Sequence, residues 1–239
     1  MILRALFTPP AAEPTKAAAR RWRPLRRLVI WGRWFALRVL LLMALLVGIY
    51  ALINPPTTLT IVAEARTQPI VPRAWVDLSE ISPEMRRSVV AAEDANFCRH
   101  WGFDMNEIRR VVASGSSRGA STISQQTAKN VFLWQGRSWP RKALETVFTP
   151  MIEAFWSKRR ILETYLNVAE FGPGVFGVGA AAREFYGTTP DRLNAVQAAR
   201  LAAVLPSPKT RDPRRASNRS RSIADGAATI LRDGRADCF

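Results

Sequence analysis

The chain has 239 residues, with 35 Lys and Arg against 19 Asp and Glu for a net charge of +16. A chain of this length holds one core of roughly 100 to 200 residues with some chain to spare, and the basic excess favours a densely anionic partner: nucleic acid, anionic lipid or a phosphorylated substrate. The single histidine, His100, excludes a histidine-rich metal site and argues against a Ser/His/Asp triad, since no flanking residue offers an obvious orienting partner. Cys98 and Cys238 match no zinc or redox spacing, which leaves a disulfide, two free thiols or unrelated residues all open.

Residues 1–34 form a basic tail, with Arg4, Lys16, Arg20, Arg21, Arg23, Arg26, Arg27 and Arg33, and then Arg38, against Glu13 alone. The apolar run from Phe35 to Ile53 approaches the ~20 residues that cross a bilayer, and Arg38 can snorkel. Trp31, Trp34 and Tyr50 flank it as interfacial aromatic residues do, and the basic tail places the amino terminus in the cytoplasm. A cleaved signal peptide is the alternative, but Ala63-Glu64-Ala65 lies well beyond the apolar run and after Pro55-Pro56. The tail accounts for half of the excess charge as topology, which weakens the nucleic-acid reading.

After a linker at 54–69 the signals are helical. Ser82-Pro83-Glu84 caps a helix with proline at its first position, and Asp104 with Glu107 fits a capping box. Ser121 caps a helix through about Leu133, and Pro140 begins another reaching Trp156, which Pro150 should kink or break. Helices follow at 158–168, at 178–186 ended by Gly187, at 195–205 and, more briefly, from Ile223 to Leu231. No alternating run with Asn-Gly or Asp-Gly turns argues for a sheet, so the expected class is all-α. Gly115–Gly119 reads as a loop through which substrate enters.

Two polar clusters interrupt this apolar pattern, residues 93–102 and 119–130. Glu93 and Asp94 end the run Val89-Val90-Ala91-Ala92, where partial burial tunes a carboxyl towards proton transfer; a solvated helix end is the plainer reading. Thr122, Gln126 and Lys129, at i, i+4 and i+7, put a hydroxyl, an amide and an ammonium on one helix face that suits a sugar pyrophosphate. Trp134, Arg137, Trp139, Arg141 and Lys142 follow, mixing aromatic rings with cations as an anionic head group at a membrane surface requires. Arg141 and Glu145 are spaced as a surface ion pair, and Phe148, Ile152 and Phe155 as core. Glu145 gains interest as the second of two carboxylates with Glu93, because glycosyl chemistry commonly needs both.

The tracts 93–102 and 119–130, then Arg141-Lys142-Ala-Leu-Glu145, Ser157 to Asn167, Gly174 to Ala182 and Ala199 to Pro206, follow in order the motifs of the peptidoglycan glycosyltransferase family, which the chain resembles over about 70–215. The resemblance implies a lysozyme-like helical domain behind one membrane helix, with residues 216–239 as a C-terminal helix and tail. It implies polymerisation of lipid II at the outer face of the bacterial cytoplasmic membrane. Glu93 would be the general base, taking the proton of the acceptor's 4-hydroxyl, and Glu145 the second essential carboxylate, near the donor pyrophosphate or its metal. Asp94, Phe97 and His100 match the rest of the first motif, and Thr122, Gln126, Lys129 and Asn130 the second. Lys129, Arg137 and Arg141 would neutralise the diphosphate. A divalent cation, Mg²⁺ or Mn²⁺, is expected by the same resemblance, and the growing glycan strand, the membrane and other cell-wall synthesis proteins are the expected partners, with no nucleic acid.

Ser124 stands where the family usually has threonine, Thr188 where lysine is common, and Pro150 in a helix that is usually unbroken. The competing readings are a glycan-cleaving lysozyme or lytic transglycosylase, which would not call for the cation cluster, and a membrane-anchored interaction protein. No Ser-x-x-Lys occurs, so a transpeptidase activity and β-lactam acylation are not expected.

Overall fold

The structure is a computed structural model that describes residues 16–115, 119–136 and 138–239. Arg137 and positions 116–118 of the expected entry loop lie outside the described residues. The chain divides into two compact units, one reaching to Leu45 and the other Leu46–Phe239.

The first unit is helical, and α1 runs Lys16–Leu52, beginning well before the expected Phe35. Its stretch Arg26–Leu52 is long and apolar enough to cross a membrane. Leu28, Trp31, Phe35, Leu41 and Leu45 all expose most of their surface, an arrangement that water penalises and lipid does not.

In the second unit the helices are α2 (Leu59–Glu64), α3 (Pro83–Glu93), α4 (Met105–Ser114), α5 (Ile123–Phe132), α6 (Trp139–Phe155), α7 (Lys158–Val168), α8 (Val178–Tyr186), α9 (Ala195–Val204) and α10 (Asn218–Arg232). Local chemistry sets most of these limits. Ser82, Ser138 and Ser157 accept from N–H groups in the first turns of α3, α6 and α7, and Gly187 ends α8 in the left-handed conformation. Asp104 caps α4 by accepting from Asn106 and Glu107. The Glu107 side chain turns instead to Arg110, so only half of the expected capping box forms.

Four expectations are corrected. The cap of α5 is Thr122, not Ser121, and it forms a reciprocal capping box with Gln125. Pro150 lies inside α6 without ending it; Phe148, Thr149 and Ile152 are buried around it, and that packing outweighs the ~3 kcal/mol a mid-helix proline costs. α10 starts five residues before Ile223, because Ser217 caps it and Ser220 returns the bond. A small antiparallel hairpin, β1 (Glu170–Gly172) with β2 (Val175–Phe176), is also present. The protein is otherwise mostly helical, as expected.

α3, α9 and α10 pack together, and α5 packs on α6 and α7. Buried side chains such as Met85, Val89, Phe97, Ile123, Ile152, Leu162, Tyr165, Leu166 and Leu201 form the core. The end of α1 is tied down within this unit: Trp156 Nε1 donates to Val47 O at 2.8 Å, and the Arg160 guanidinium donates to the carbonyls of Tyr50 and of Ile53, just past the helix, at 2.9 and 3.0 Å. A cation on the last carbonyls of a helix satisfies acceptors that have no intrahelical partner.

Cys98 and Cys238 form a disulfide with Cα atoms 5.6 Å apart. Closing a loop across 140 residues stabilises the fold by roughly 5 kcal/mol in the chain-entropy account.

Candidate active site

Glu93 is the last residue of α3, and α5 runs past it. A cleft of about 1300 Å³ opens there, with Glu93 and Asp94 from the first polar cluster, Thr122, Gln126 and Lys129 from the second, and Arg219 from α10 on its walls.

Each Glu93 oxygen has a partner. Gln126 Nε2 donates to Oε2 at 2.9 Å and Arg219 donates to Oε1 at 3.3 Å. The same Arg219 nitrogen reaches Ala92 O at 3.3 Å. Tyr165 donates its hydroxyl to Gln126 Oε1 at 3.1 Å, which commits the oxygen of that amide and leaves its NH₂ for Glu93. Burial pushes the Glu93 carboxyl above its ordinary range, opposed by the Gln126 hydrogen bond and by the charges of Arg219, Lys129 and Arg211. The result is a carboxylate that is a stronger base than a solvated glutamate.

Asp94 is nearly fully buried and bridges two elements. It accepts from the Ile123 backbone N–H at 3.0 Å and lies 2.8 Å from His100 Nε2. His100 therefore does have an orienting partner, contrary to expectation. Asp94 spends its oxygens joining the first cluster to the start of α5, where the helix dipole favours a negative charge. Its other contacts show why the first motif is compact. Phe97 is fully buried, with Lys158 Nζ 4.4 Å from its ring centroid, and Lys158 also donates to His100 O and to Glu153. Ser124 donates to Glu153 as well, so its hydroxyl does what a threonine could do there. Gly102 has φ +85°, and a Cβ at that position would stand 2.7 Å from Thr149 Cγ2.

Thr122, as a cap, accepts from Gln125 N–H and donates to Gly102 O at 2.6 Å. Its hydroxyl is thereby taken, although the residue lines the cleft. Gln126 and Lys129 do share the cleft face of α5. Asn130 is buried, and neither it, Phe97 nor His100 is on the cleft wall.

Glu145 is buried in α6 with 3% of its surface exposed, so Arg141–Glu145 is not a surface pair. Arg141 Nη1 lies 3.3 Å from Oε2, and Lys142 contacts Oε1. Arg141 is itself buried, and its Nε has no partner among the described residues. Lys129 lines the cleft, whereas Arg141, Lys142 and Glu145 are not on its wall. Burial lowers its ammonium pKa, Glu145 and Glu93 raise it, and Arg141 and Lys142 lower it. It is within the electrostatic reach of both carboxylates and of the cations beside Glu145.

Two participants carry no distinct signal in the sequence. Tyr165 lies within the helix at 158–168 and Arg219 among the arginines after Pro206, whereas Lys142, read as one of the cations after Trp134, is also a partner of Glu145. Only the i, i+3 spacing of Lys142 and Glu145 offered a signal. Among the described residues, no three His, Cys, Asp or Glu side chains converge on a metal-sized site, and cations contact both Glu145 oxygens. The side chains do not fit a resident divalent ion.

Comparison with known proteins agrees with this arrangement. The family model described as transglycosylase matches residues 61–232, a span that includes Glu93, Glu145 and Arg219. A protein of Jannaschia sp. (strain CCS1) named biosynthetic peptidoglycan transglycosylase is 53% identical over 219 residues, 90% of each chain. The protein of the same name from Caulobacter vibrioides is 44% identical over 198 residues, 80% of this chain and 86% of its own. One from Xanthomonas campestris pv. campestris (strain B100) is 59% identical over 145 residues, 59% of each. With a buried glutamate on the cleft wall, a second carboxylate among cations and a match of this extent, the chain belongs to the transglycosylase family and is a peptidoglycan glycosyltransferase.

Proposed function

We propose that the protein polymerises lipid II into β-1,4-linked glycan strands with release of undecaprenyl diphosphate. The observation that carries this reading is the Glu93 carboxylate, held by Gln126 and Arg219 on the wall of a cleft that Lys129 also lines. A proton acceptor and an anion-binding cluster then serve one reaction. Glu93 takes the proton of the acceptor's 4-hydroxyl, and that oxygen attacks the anomeric carbon of the donor with inversion as the C1–O bond to the diphosphate breaks. Burial raises the Glu93 carboxyl, so its carboxylate is a better proton acceptor than a solvated glutamate.

Lys129, Arg141 and Lys142 answer the charge that develops on the departing diphosphate, as does Arg137. Preorganised cations in a partly dry site are the largest source of such stabilisation. Glu145 holds Arg141 and Lys142 in place between turnovers. A Mg²⁺ or Mn²⁺ ion belongs to this proposal only as a counter-ion that arrives with the diphosphate, since Arg141 and Lys142 already occupy both Glu145 oxygens.

α1 anchors the enzyme in the bacterial cytoplasmic membrane, with the basic tail inside and the catalytic unit outside. The disulfide supports that placement, because such bonds persist in oxidising compartments. Lipid II, the growing strand, the membrane and other cell-wall synthesis proteins are then its partners.

The test is incubation of detergent-solubilised protein with labelled lipid II. Release of undecaprenyl diphosphate with formation of lysozyme-sensitive polymer supports the proposal. Soluble fragments from finished glycan, with lipid II untouched, would instead support a cleaving enzyme.

A further inference from the structure

Four ties join segment Asp233–Phe239 to the stretch just after Glu93. The disulfide links Cys98 to Cys238. Arg99 donates to Asp233 O at 3.4 Å, and Arg235 donates from Nη1 to Ala95 O at 3.4 Å in the opposite direction. The Phe239 ring lies 6.3 Å from that of Phe97. Arg235 is held for this contact by Asp233, whose carboxylate receives its Nε and Nη2 at 2.9 and 2.7 Å. Arg235 also lines the cleft that holds Glu93.

We propose that this segment is a positioning strap for the base: locked by the Cys98–Cys238 disulfide, it uses Arg235 to fix the Ala95 turn and so the orientation of Glu93 in the cleft. The inference rests on Glu93 being the base of the reaction proposed above. The physical argument concerns leverage. Glu93 is the final residue of α3, where a helix frays, and only Asp94 separates it from Ala95. A carbonyl bonded to an ion-paired guanidinium, three residues before a covalent cross-link, removes that freedom. The fold itself has another anchor nearby, since Asp94 already joins this stretch to α5. The strap therefore orients the base in addition to stabilising the domain through its cross-link. A dithiol reductant breaks the S–S bond, leaving two protein thiols and the oxidised dithiol, and frees the segment.

The experiment compares lipid II polymerisation by the oxidised full chain, the same protein treated with dithiothreitol, Cys98→Ser/Cys238→Ser, Arg235→Ala and Arg235→Lys, with helix content checked at the assay temperature. Reduction and the double variant lower kcat by about tenfold, within the range that misplacing a reacting group by about an ångström costs, while KM holds. Arg235→Ala, which retains the disulfide and so guards against simple unfolding, shifts kcat in the same direction, and Arg235→Lys recovers part of it. Unchanged kcat in the reduced protein and in Arg235→Ala, with only thermal stability lowered, overturns the strap and leaves a structural staple. A change confined to KM also overturns it. Failure of the oxidised wild type to make polymer overturns the functional reading itself, a distinct outcome.

Discussion

Gln126 donates its side-chain amide to Glu93 across 2.9 Å, joining the fourth residue of α5 to the last residue of α3. The amide would be free to rotate were it not for the buried Tyr165 hydroxyl on its other end. Helix packing between α5 and α7 is thus converted into orientation of a carboxylate at the cleft.

Tyr165→Phe tests this link. The substitution removes one hydroxyl from a packed position and leaves the ring, so the fold should hold. Loss of a hydrogen bond worth about 1 kcal/mol should lower kcat by about fivefold. Steady-state kinetics on lipid II, beside a thermal melt, will separate the two effects.

The pH profile follows from burial of Glu93. Its carboxyl is raised above 4.5, and the base works only when deprotonated, so activity is lost as pH falls through the raised value. The acid limb of kcat/KM should lie above the ordinary glutamate range. Arg219→Ala removes a charge that favours the ionised form and should move the limb to higher pH. A limb that stays in place would show that Arg219 does not act on Glu93.

Lys129→Ala should lower kcat/KM by about 10² to 10³, the usual cost of deleting one preorganised donor at a developing charge. Lys129→Arg should restore part of the rate. Because the ammonium is already partly desolvated by its surroundings, a neutral replacement should cost more in rate than in stability, as paired kinetic and melting measurements will report.

Glu170 offers a stability prediction away from the cleft. Burial raises its carboxyl from 4.5 to about 7, with Lys209 opposing and Glu64 adding to the shift, and Oε1 is buried without a partner among the described residues. Between those values the folded state binds the proton and the unfolded chain does not, so stability falls as pH rises from 4.5 to about 7 and is level above. Glu170→Gln should therefore raise the melting temperature at pH 8 and leave it nearly unchanged at pH 4.5.

Much of this architecture was legible because its signals are local. α7 and α8 begin and end where expected, since Ser157 caps one and Gly187 closes the other. The carboxylate Glu93 was visible at the end of an apolar run for the same reason. What depends on distant partners was not legible. Neither the Tyr165–Gln126 bond, the Arg219–Glu93 pair nor the Cys98–Cys238 bridge leaves a trace in residue spacing, since their members are 39, 126 and 140 residues apart. Pro150 misled because a propensity rule ignores packing on both sides of a helix. The hairpin escaped because three residues paired with two are too few to show alternation.

The most direct measurement is polymerisation of labelled lipid II by wild type, Glu93→Gln and Glu145→Gln, with products separated by length and treated with lysozyme. The account predicts lysozyme-sensitive polymer from wild type and none from either variant, all three proteins being folded. Polymer from folded Glu93→Gln at the wild-type rate would contradict the assignment of the base, and cleavage of finished glycan without polymerisation would contradict the reaction.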